Sequence, residues 1–209
     1  AERSVPSVAL RQAMLEVNRM GQMARDNLQA ALTYFFDPTQ EELFTRVMER
    51  EKTIDYLDHA ISDKLVTLRS LQLSDHDVFR LSRMVRVVSN FERIGDHADN
   101  IAGYVHHCMD QGLHFSDVAR REITDLTSKV TSFVDEAERY YTNSSERSIE
   151  ELEAIEDSVD NDVDRMQESH IRRMESGECS GEIGMLYIEI LTDLERVADH
   201  ALNIAQAQK

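Results

Sequence analysis

Hydrophobic residues recur at alternating steps of four and three along much of the chain, with polar residues between them. The two clearest runs are Val87, Phe91, Ile94, Ala98, Ile101 and Val105, and then Ile190, Leu194, Val197, Ala201 and Ile204. This spacing places the apolar side chains on one side of a helix, where a neighbouring helix covers them. No long run alternates apolar and polar residues between turn signals, as a strand would require. The pattern predicts an all-α protein.

Few residues interrupt these helical patterns. The chain has two prolines and seven glycines, and no proline follows Pro38. Asp37-Pro38 ends the first predicted helix, Gln111-Gly112 ends the third, and serines precede the later helices as N-caps. We predict six long antiparallel helices, at about residues 7–36, 39–71, 75–110, 116 to the TNSSE segment at 142–146, 145 or 148 to 176, and 180–208.

The chain also repeats itself. "ERIGDHADNIA" at residues 92–102 and "ERVADHALNIA" at residues 195–205 share eight of eleven positions and lie 103 residues apart. An acidic pair upstream of the first copy has a counterpart 105 residues later. Matches at nearly constant separation indicate a tandem duplication. We therefore predict two tandem three-helix bundles, at residues 1–112 and 113–209.

Acidic residues form a stripe beside each apolar run. Glu92 directly follows Phe91, and Asp96 and Asn100 lie one and two turns further along the same helix. Where two such stripes face one another, the carboxylates repel and together attract a cation. The predicted metal ligands are Glu51, Asp55, Glu92 and Asp96 in the first repeat, Glu156, Asp160, Glu195 and Asp199 in the second, and Asn100 and Asn203 as accessory ligands.

Other interpretations of these acids remain open. The chain has 40 acidic residues, so acid pairs one helical turn apart also arise by chance. Arg93 and Arg196 lie within the repeated motif and would neutralise it if they form ordinary ion pairs. His97 and His200 follow the second acid and suit either the edge of a metal site or the edge of the core. Recurrence at matching positions is what favours metal binding.

Composition narrows the possible partners. A formal net charge of −17 argues against nucleic acid and against a bare acidic membrane surface. The two cysteines, Cys108 and Cys179, lack metal-type spacing and predict a reducing, cytoplasmic setting. No apolar run approaches the roughly 20 residues of a membrane span.

"NFERIGDHADNIA" and "DLERVADHALNIA" resemble the duplicated signature of the PhoU family, and the resemblance extends over nearly the whole chain. It implies two three-helix bundles, iron or zinc clusters held by Glu-x-x-x-Asp motifs, and a non-catalytic role in regulating phosphate uptake and signalling. One departure is Leu202, which stands where the first copy has Asp99, so the two sites need not bind metal equally.

The start of the third helix, "RSLQLSDHDVFRL", lacks the arginine-proline and Asp-Leu-Arg of free-standing PhoU proteins. It resembles the PhoU-like cytoplasmic tail of bacterial sodium/phosphate cotransporters, as does the opening "VPSVALRQAMLEVNRMG", and the absence of methionine at Ala1 agrees with this. We therefore expect a tail tethered to the inner face of the membrane. Its partner would be the transporter's membrane domain, a phosphate-uptake or signalling protein, or a second copy of the chain. The alternatives are a free-standing PhoU regulator, a metal-dependent phosphohydrolase and a plain interaction scaffold.

Overall fold

A computed structural model describes residues 4–208 of the chain. The expectation based on Ala1 therefore concerns a residue outside the described part. Every regular element in this part is an α-helix, which confirms the all-α prediction. The six helices are α1 (Ser4–Phe36), α2 (Glu41–Arg69), α3 (Asp75–Gln111), α4 (Asp117–Tyr141), α5 (Ile149–Glu175) and α6 (Gly181–Gln206).

The helices end where local chemistry satisfies their free backbone groups. The hydroxyl oxygens of Ser74, Ser116 and Ser148 accept hydrogen bonds from backbone N–H groups in the first turns of α3, α4 and α5. Gly112 closes α3 in the left-handed conformation, with φ of 65°. The structure selects Ser148 over Ser145 as the cap of α5. α1 begins at Ser4, earlier than predicted, because a proline in the first turn is compatible with a helix.

The helices pack as two groups of three. α1, α2 and α3 contact one another, α4, α5 and α6 contact one another, and α3 packs against α6 to join the groups. All eleven residues of the two predicted apolar runs are at most 3% exposed. This arrangement confirms the predicted pair of three-helix bundles. The exact boundary between residues 112 and 113 stays a prediction.

A polar network lies inside the contact between α3 and α6. The carboxylate of Asp193 accepts a hydrogen bond from His97 Nδ1 at 2.7 Å and one from Asn100 Nδ2 at 3.2 Å. On the other side, Asn90 Oδ1 contacts His200 Nδ1 at 3.2 Å and Asn203 Nδ2 at 3.3 Å.

These two halves of the network are the two copies of the repeat. Each residue of one half has its counterpart 103 positions away in the other, and the His97 and His200 rings stack between them with centroids 5.3 Å apart. The single difference is Asn90 in one copy and Asp193 in the other. Matching residues from the two copies therefore form the polar contact between the bundles, and both histidines belong to it. We call this network the joint; it consists of Asn90, His97, Asn100, Asp193, His200 and Asn203.

Candidate metal centre

Four carboxylates meet between α2 and α3. Glu51 and Asp55 lie one turn apart on α2, and Glu92 and Asp96 lie one turn apart on α3. One carboxylate oxygen from each of the four lies within 4.8 Å of the others. The predicted first ligand set therefore comes together as a compact group, because the acidic stripes flank apolar runs that pack against each other.

Burial makes this group unfavourable without a counter-charge. Glu51 is only 9% exposed, and its Oε2 atom has no hydrogen-bond partner among the described residues. Burial, followed by a hydrogen bond to Asp96 and repulsion from the neighbouring acids, raises the pKa of Glu51 to about 10. Burial and the same Asp96 neighbour raise the pKa of Glu92 to about 8. Near neutral pH these groups must hold protons or share a cation.

Two further acids border the first cluster. Asp58 and Asp99 each lie one turn beyond the second acid of their helix, and both are half-buried. The pKa of each is raised, first by burial and then by repulsion involving Asp55 and Asp96. Asp58 was not predicted as part of the site, although the shared spacing Glu-x-x-x-Asp-x-x-Asp in α2 and α3 was a signal for it. The first repeat thus carries six acids in this region.

Gly95 makes the close approach of α2 to α3 possible. A Cβ atom at this position would lie 3.0 Å from Glu51 Oε2 and 3.3 Å from Ile54 Cδ1. Both distances are tighter than ordinary van der Waals contact. The small residue therefore leaves room for the buried Glu51 carboxylate as well as for helix packing.

The second cluster lies between α5 and α6 and is less compact. Its tightest group consists of Glu156, Asp160 and the exposed Asp157, which was not predicted. Asp199 reaches this group by a hydrogen bond to Glu156, and that bond is the main cause that raises the pKa of Glu156 to about 9. Glu195 lies near enough to Asp160 and Asp199 for their charges to add to the effect of burial in raising its pKa.

The two asparagines predicted as accessory ligands take part in the joint between the bundles. The side-chain amide N–H of Asn100 bonds to Asp193, and that of Asn203 bonds to Asn90. Neither bond uses the asparagine's own side-chain oxygen. A ligand role for these oxygens stays a prediction.

Basic side chains do not neutralise the clusters. Within residues 4–208, none of the eight predicted carboxylate ligands forms an ion pair with a lysine, arginine or histidine. Arg93 and Arg196 are exposed and make no such contact. The ion-pair alternative from the sequence therefore finds no support among the described residues.

The donor set fits a metal cation. All the grouped side chains offer oxygen, which suits hard divalent ions and also iron and zinc. The buried, unpartnered Glu51 oxygen provides an acceptor that only a cation or a proton can satisfy here. Bound between α2 and α3, a cation would relieve the repulsion and tie the two helices together.

No helix among the described residues is long and apolar enough to cross a bilayer.

Known proteins share both the sequence and the fold of this chain. It is similar to proteins described as phosphate-specific transport system accessory protein PhoU homologs: one from Synechocystis sp. is 27% identical, with 98% of this chain and 90% of that protein covered. One from Thermotoga maritima is 24% identical, with 91% and 82% covered.

Among solved structures, PhoU from Pseudomonas aeruginosa has a TM-score of 0.85 at 22% identity, with 97% of this chain and 96% of that chain covered. The phosphate transport system regulatory protein PhoU from Streptococcus pneumoniae has a TM-score of 0.82 at 18% identity, with 97% and 94% covered. These structures support the fold. The PhoU domain model matches residues 17–105 and 123–207, which hold both acidic clusters and the joint between them. The chain belongs to the PhoU family.

Proposed function

We propose that this chain is a regulatory accessory protein of phosphate transport, which binds metal cations at its two acidic clusters and is not an enzyme. Support for the regulatory role comes from the PhoU domain match in both repeats and from relatives described as accessory proteins of phosphate-specific transport. Support for metal binding comes from one observation. α2 and α3 gather four carboxylates within 4.8 Å of one another, and no lysine, arginine or histidine in residues 4–208 forms an ion pair with them.

We propose a free-standing PhoU regulator rather than the tail of a cotransporter. The relatives from Synechocystis and Thermotoga are matched over 90% and 82% of their own lengths. Matches over most of the length of these PhoU homologs fit a free-standing regulator better than the cotransporter tail predicted from the sequence at the start of α3. Its partners would then be transport and signalling proteins of phosphate uptake on the cytoplasmic side of the membrane.

Metal would act here as a structural and regulatory link. Glu51 and Asp55 would hold the ion from α2, and Glu92 and Asp96 from α3. Iron or zinc fits these oxygen ligands, and it would supply the positive charge that the cluster lacks. Loss of the ion would leave the carboxylates of α2 and α3 to repel one another and would shift the two helices. The availability of metal would therefore change the surface that a partner recognises.

Metal analysis of protein purified without a chelator tests the binding. Glu92→Gln removes a ligand of the first cluster and Asp199→Asn one of the second, while Asp63→Asn changes an exposed acid elsewhere on α2. We expect each ligand variant to lose roughly half of the bound metal and the control to lose none. Metal content near zero in the wild-type protein at neutral pH, or unchanged in both ligand variants, would overturn the proposal.

The non-catalytic part has its own test. A metal-activated water acting on a phosphate ester would need an open coordination position and a base placed beside it. Steady turnover of a phosphomonoester by the pure protein, abolished by Asp96→Asn, would show that the chain is a phosphohydrolase.

A further inference from the structure

A cavity of about 340 Å³ opens where the two bundles meet, away from both acidic clusters. It lies between α1, the first turns of α3, the end of α4 and the end of the chain. The polar side chains that line it belong to Asn18, Arg80, Arg83, Tyr141, Thr142, Asn143 and Gln208. No residue of the metal centre lines this cavity.

Two arginines supply positive charge to this cavity. Arg80 and Arg83 lie one turn apart on α3 and are both half-buried. The nearest acid to Arg80 is Asp77, at 3.7 Å, the outer limit of an ion pair. Arg83 donates to the backbone oxygen of Gln208 at 3.2 Å, and no carboxylate among the described residues lies within ion-pair distance of it. In a chain with a formal charge of −17, this is a local excess of positive charge.

Neutral groups complete the wall with further hydrogen-bonding capacity. The Tyr141 phenol, the Asn18 and Asn143 amides and the Thr142 hydroxyl all line the same cavity. Both arginines act electrostatically on Tyr141: burial raises its pKa, and the charges of Arg83 and Arg80 partly oppose that rise. Arg80, Arg83 and Tyr141 all line this one cavity, so a single bound group can contact all three.

The duplication provides an internal comparison. The positions that correspond to Arg80 and Arg83 in the second repeat, 103 residues later, are Ile183 and Leu186. Ile183 is 7% exposed and belongs to the apolar interior. The helix can thus form and pack with aliphatic residues at both positions. The arginines are a feature that the first repeat has and the fold does not require.

We propose that this cavity binds a small, soluble phosphate-bearing anion, either inorganic phosphate or a phosphomonoester. Paired guanidinium groups match the oxygens of a phosphate group. The Tyr141 hydroxyl and the side-chain N–H groups of Asn18 and Asn143 can bind its remaining oxygens, whereas the Thr142 hydroxyl already donates to the carbonyls of Glu138 and Arg139. The volume lies within the range of small-ligand sites and exceeds the size of a single phosphate ion, so that a short ester substituent also fits. The ligand would contact α1 and α3 of the first bundle and the end of α4 in the second. Its binding would therefore couple the two bundles, independently of the metal proposal.

Isothermal titration calorimetry tests this site in protein stripped of metal with a chelator, so that phosphate cannot bind through a cluster-bound ion. Inorganic phosphate and glycerol 3-phosphate are titrated separately against the wild-type chain at constant ionic strength. The test variants are Arg80→Gln and the double variant Arg80→Gln/Arg83→Gln. The matched control is Arg121→Gln, which removes an exposed arginine from α4.

We expect saturable binding of at least one of the two anions. The double variant should bind at least tenfold more weakly, and Arg121→Gln should bind like the wild type. Circular dichroism of the helices monitors folding. If the double variant fails to fold, Arg80→Gln alone tests the site, because Arg80 forms only one long ion pair and its loss should cost little stability. Absence of saturable binding to the wild type at about 10 mM of either anion, or equal binding by the double variant, would overturn the proposal.

Discussion

The Glu51 carboxylate is the single group most sensitive to the proposed metal. It is buried beside Asp96, and its Oε2 atom has no hydrogen-bond partner in the part of the chain that the structure describes. In metal-free protein at pH 8, Glu51→Gln should raise the free energy of unfolding by at least about 1 kcal/mol, because the neutral amide avoids a raised pKa that only the folded state carries. With saturating metal the order should reverse, because the wild type alone retains the complete site.

Urea denaturation with chelator and then with zinc measures both differences, and Asp63→Asn controls for the loss of an acid on α2. The same sign in both conditions would contradict this role of Glu51.

The raised pKa values also predict how pH affects the metal-free protein. The folded-state pKa values of Glu92 and Glu51 lie near 8 and 10, well above their ordinary value of 4.5. Such a group contributes its full stabilisation at pH values below its pKa in the unfolded chain. This contribution is lost as the pH rises toward its pKa in the folded protein. The free energy of unfolding should therefore fall between pH 6.5 and 8.

This fall should be smaller in Glu92→Gln, whose neutral amide does not titrate. The pH window lies above the ordinary pKa of histidine, so the lowered pKa of His200, near 4, contributes little. Urea denaturation at several pH values measures the slope. A wild-type slope equal to that of Glu92→Gln would show that Glu92 does not ionise differently in the folded state.

Sequence reasoning identified the clustered acids that have a counterpart in the other repeat and missed those that do not. Glu51 and Glu92 were found because each has a partner one turn away and a counterpart in the other repeat. Asp157 has no acidic counterpart in the first repeat, where Lys52 stands at the matching position, although it lies on α5 together with Glu156 and Asp160. The carboxylate of Asp193 was invisible for a similar reason, since its partners His97 and Asn100 lie on a different helix.

Between helices, Gly95 controls the distance from α2 to α3. Gly95→Ala would place a methyl group 3.0 Å from Glu51 Oε2. We expect metal affinity at the first cluster to fall about tenfold. Stability should change by less than about 1 kcal/mol, because alanine's higher helix propensity offsets part of the crowding.

The matched control is Ala198→Gly at the equivalent position of α6, where an alanine is already accommodated. Metal titration that resolves the two clusters would measure the effect. Unchanged affinity in Gly95→Ala would show that the first cluster tolerates a wider separation of the helices.

The joint between α3 and α6 depends on one charged residue. Asp193→Ala leaves His97 and Asn100 without their buried acceptor, and we expect it to lower the free energy of unfolding by about 2–4 kcal/mol. Asn90→Ala removes the neutral counterpart and should lower it by about 1–2 kcal/mol. Chemical denaturation at pH 7 measures both. Equal, small effects below about 0.5 kcal/mol would mean that the network does not hold the bundles together.

Helix positions were predictable because caps and apolar spacing are local signals. Ser74, Ser116 and Gly112 mark their helix ends in the sequence, and the structure agrees. Helix pairing was less accessible, since periodicity identifies a buried side without naming the helix that covers it. The duplication partly indicated which helices pack together, because it divided the six helices into two groups of three.

At the scale of the whole molecule, two bundles with the same plan carry different chemistry. The first holds the compact carboxylate cluster and contributes Arg80 and Arg83 to the cavity between the bundles, whereas the second has Ile183 and Leu186 at the positions of those arginines and Leu202 at the position of Asp99. The bundles meet through a joint made of matching residues from each copy. The two copies thus share one architecture, and the first carries the more complete set of polar groups.

The sharing of one cation by α2 and α3 is tested most directly by anomalous diffraction, above and below the zinc edge, from crystals grown with zinc. We predict an anomalous peak within about 2.0–2.2 Å of carboxylate oxygens from both helices, at Glu51, Asp55, Glu92 and Asp96, and its loss in Glu92→Gln. Well-ordered carboxylates with no peak between them, at zinc concentrations that saturate any binding in solution, would contradict the account.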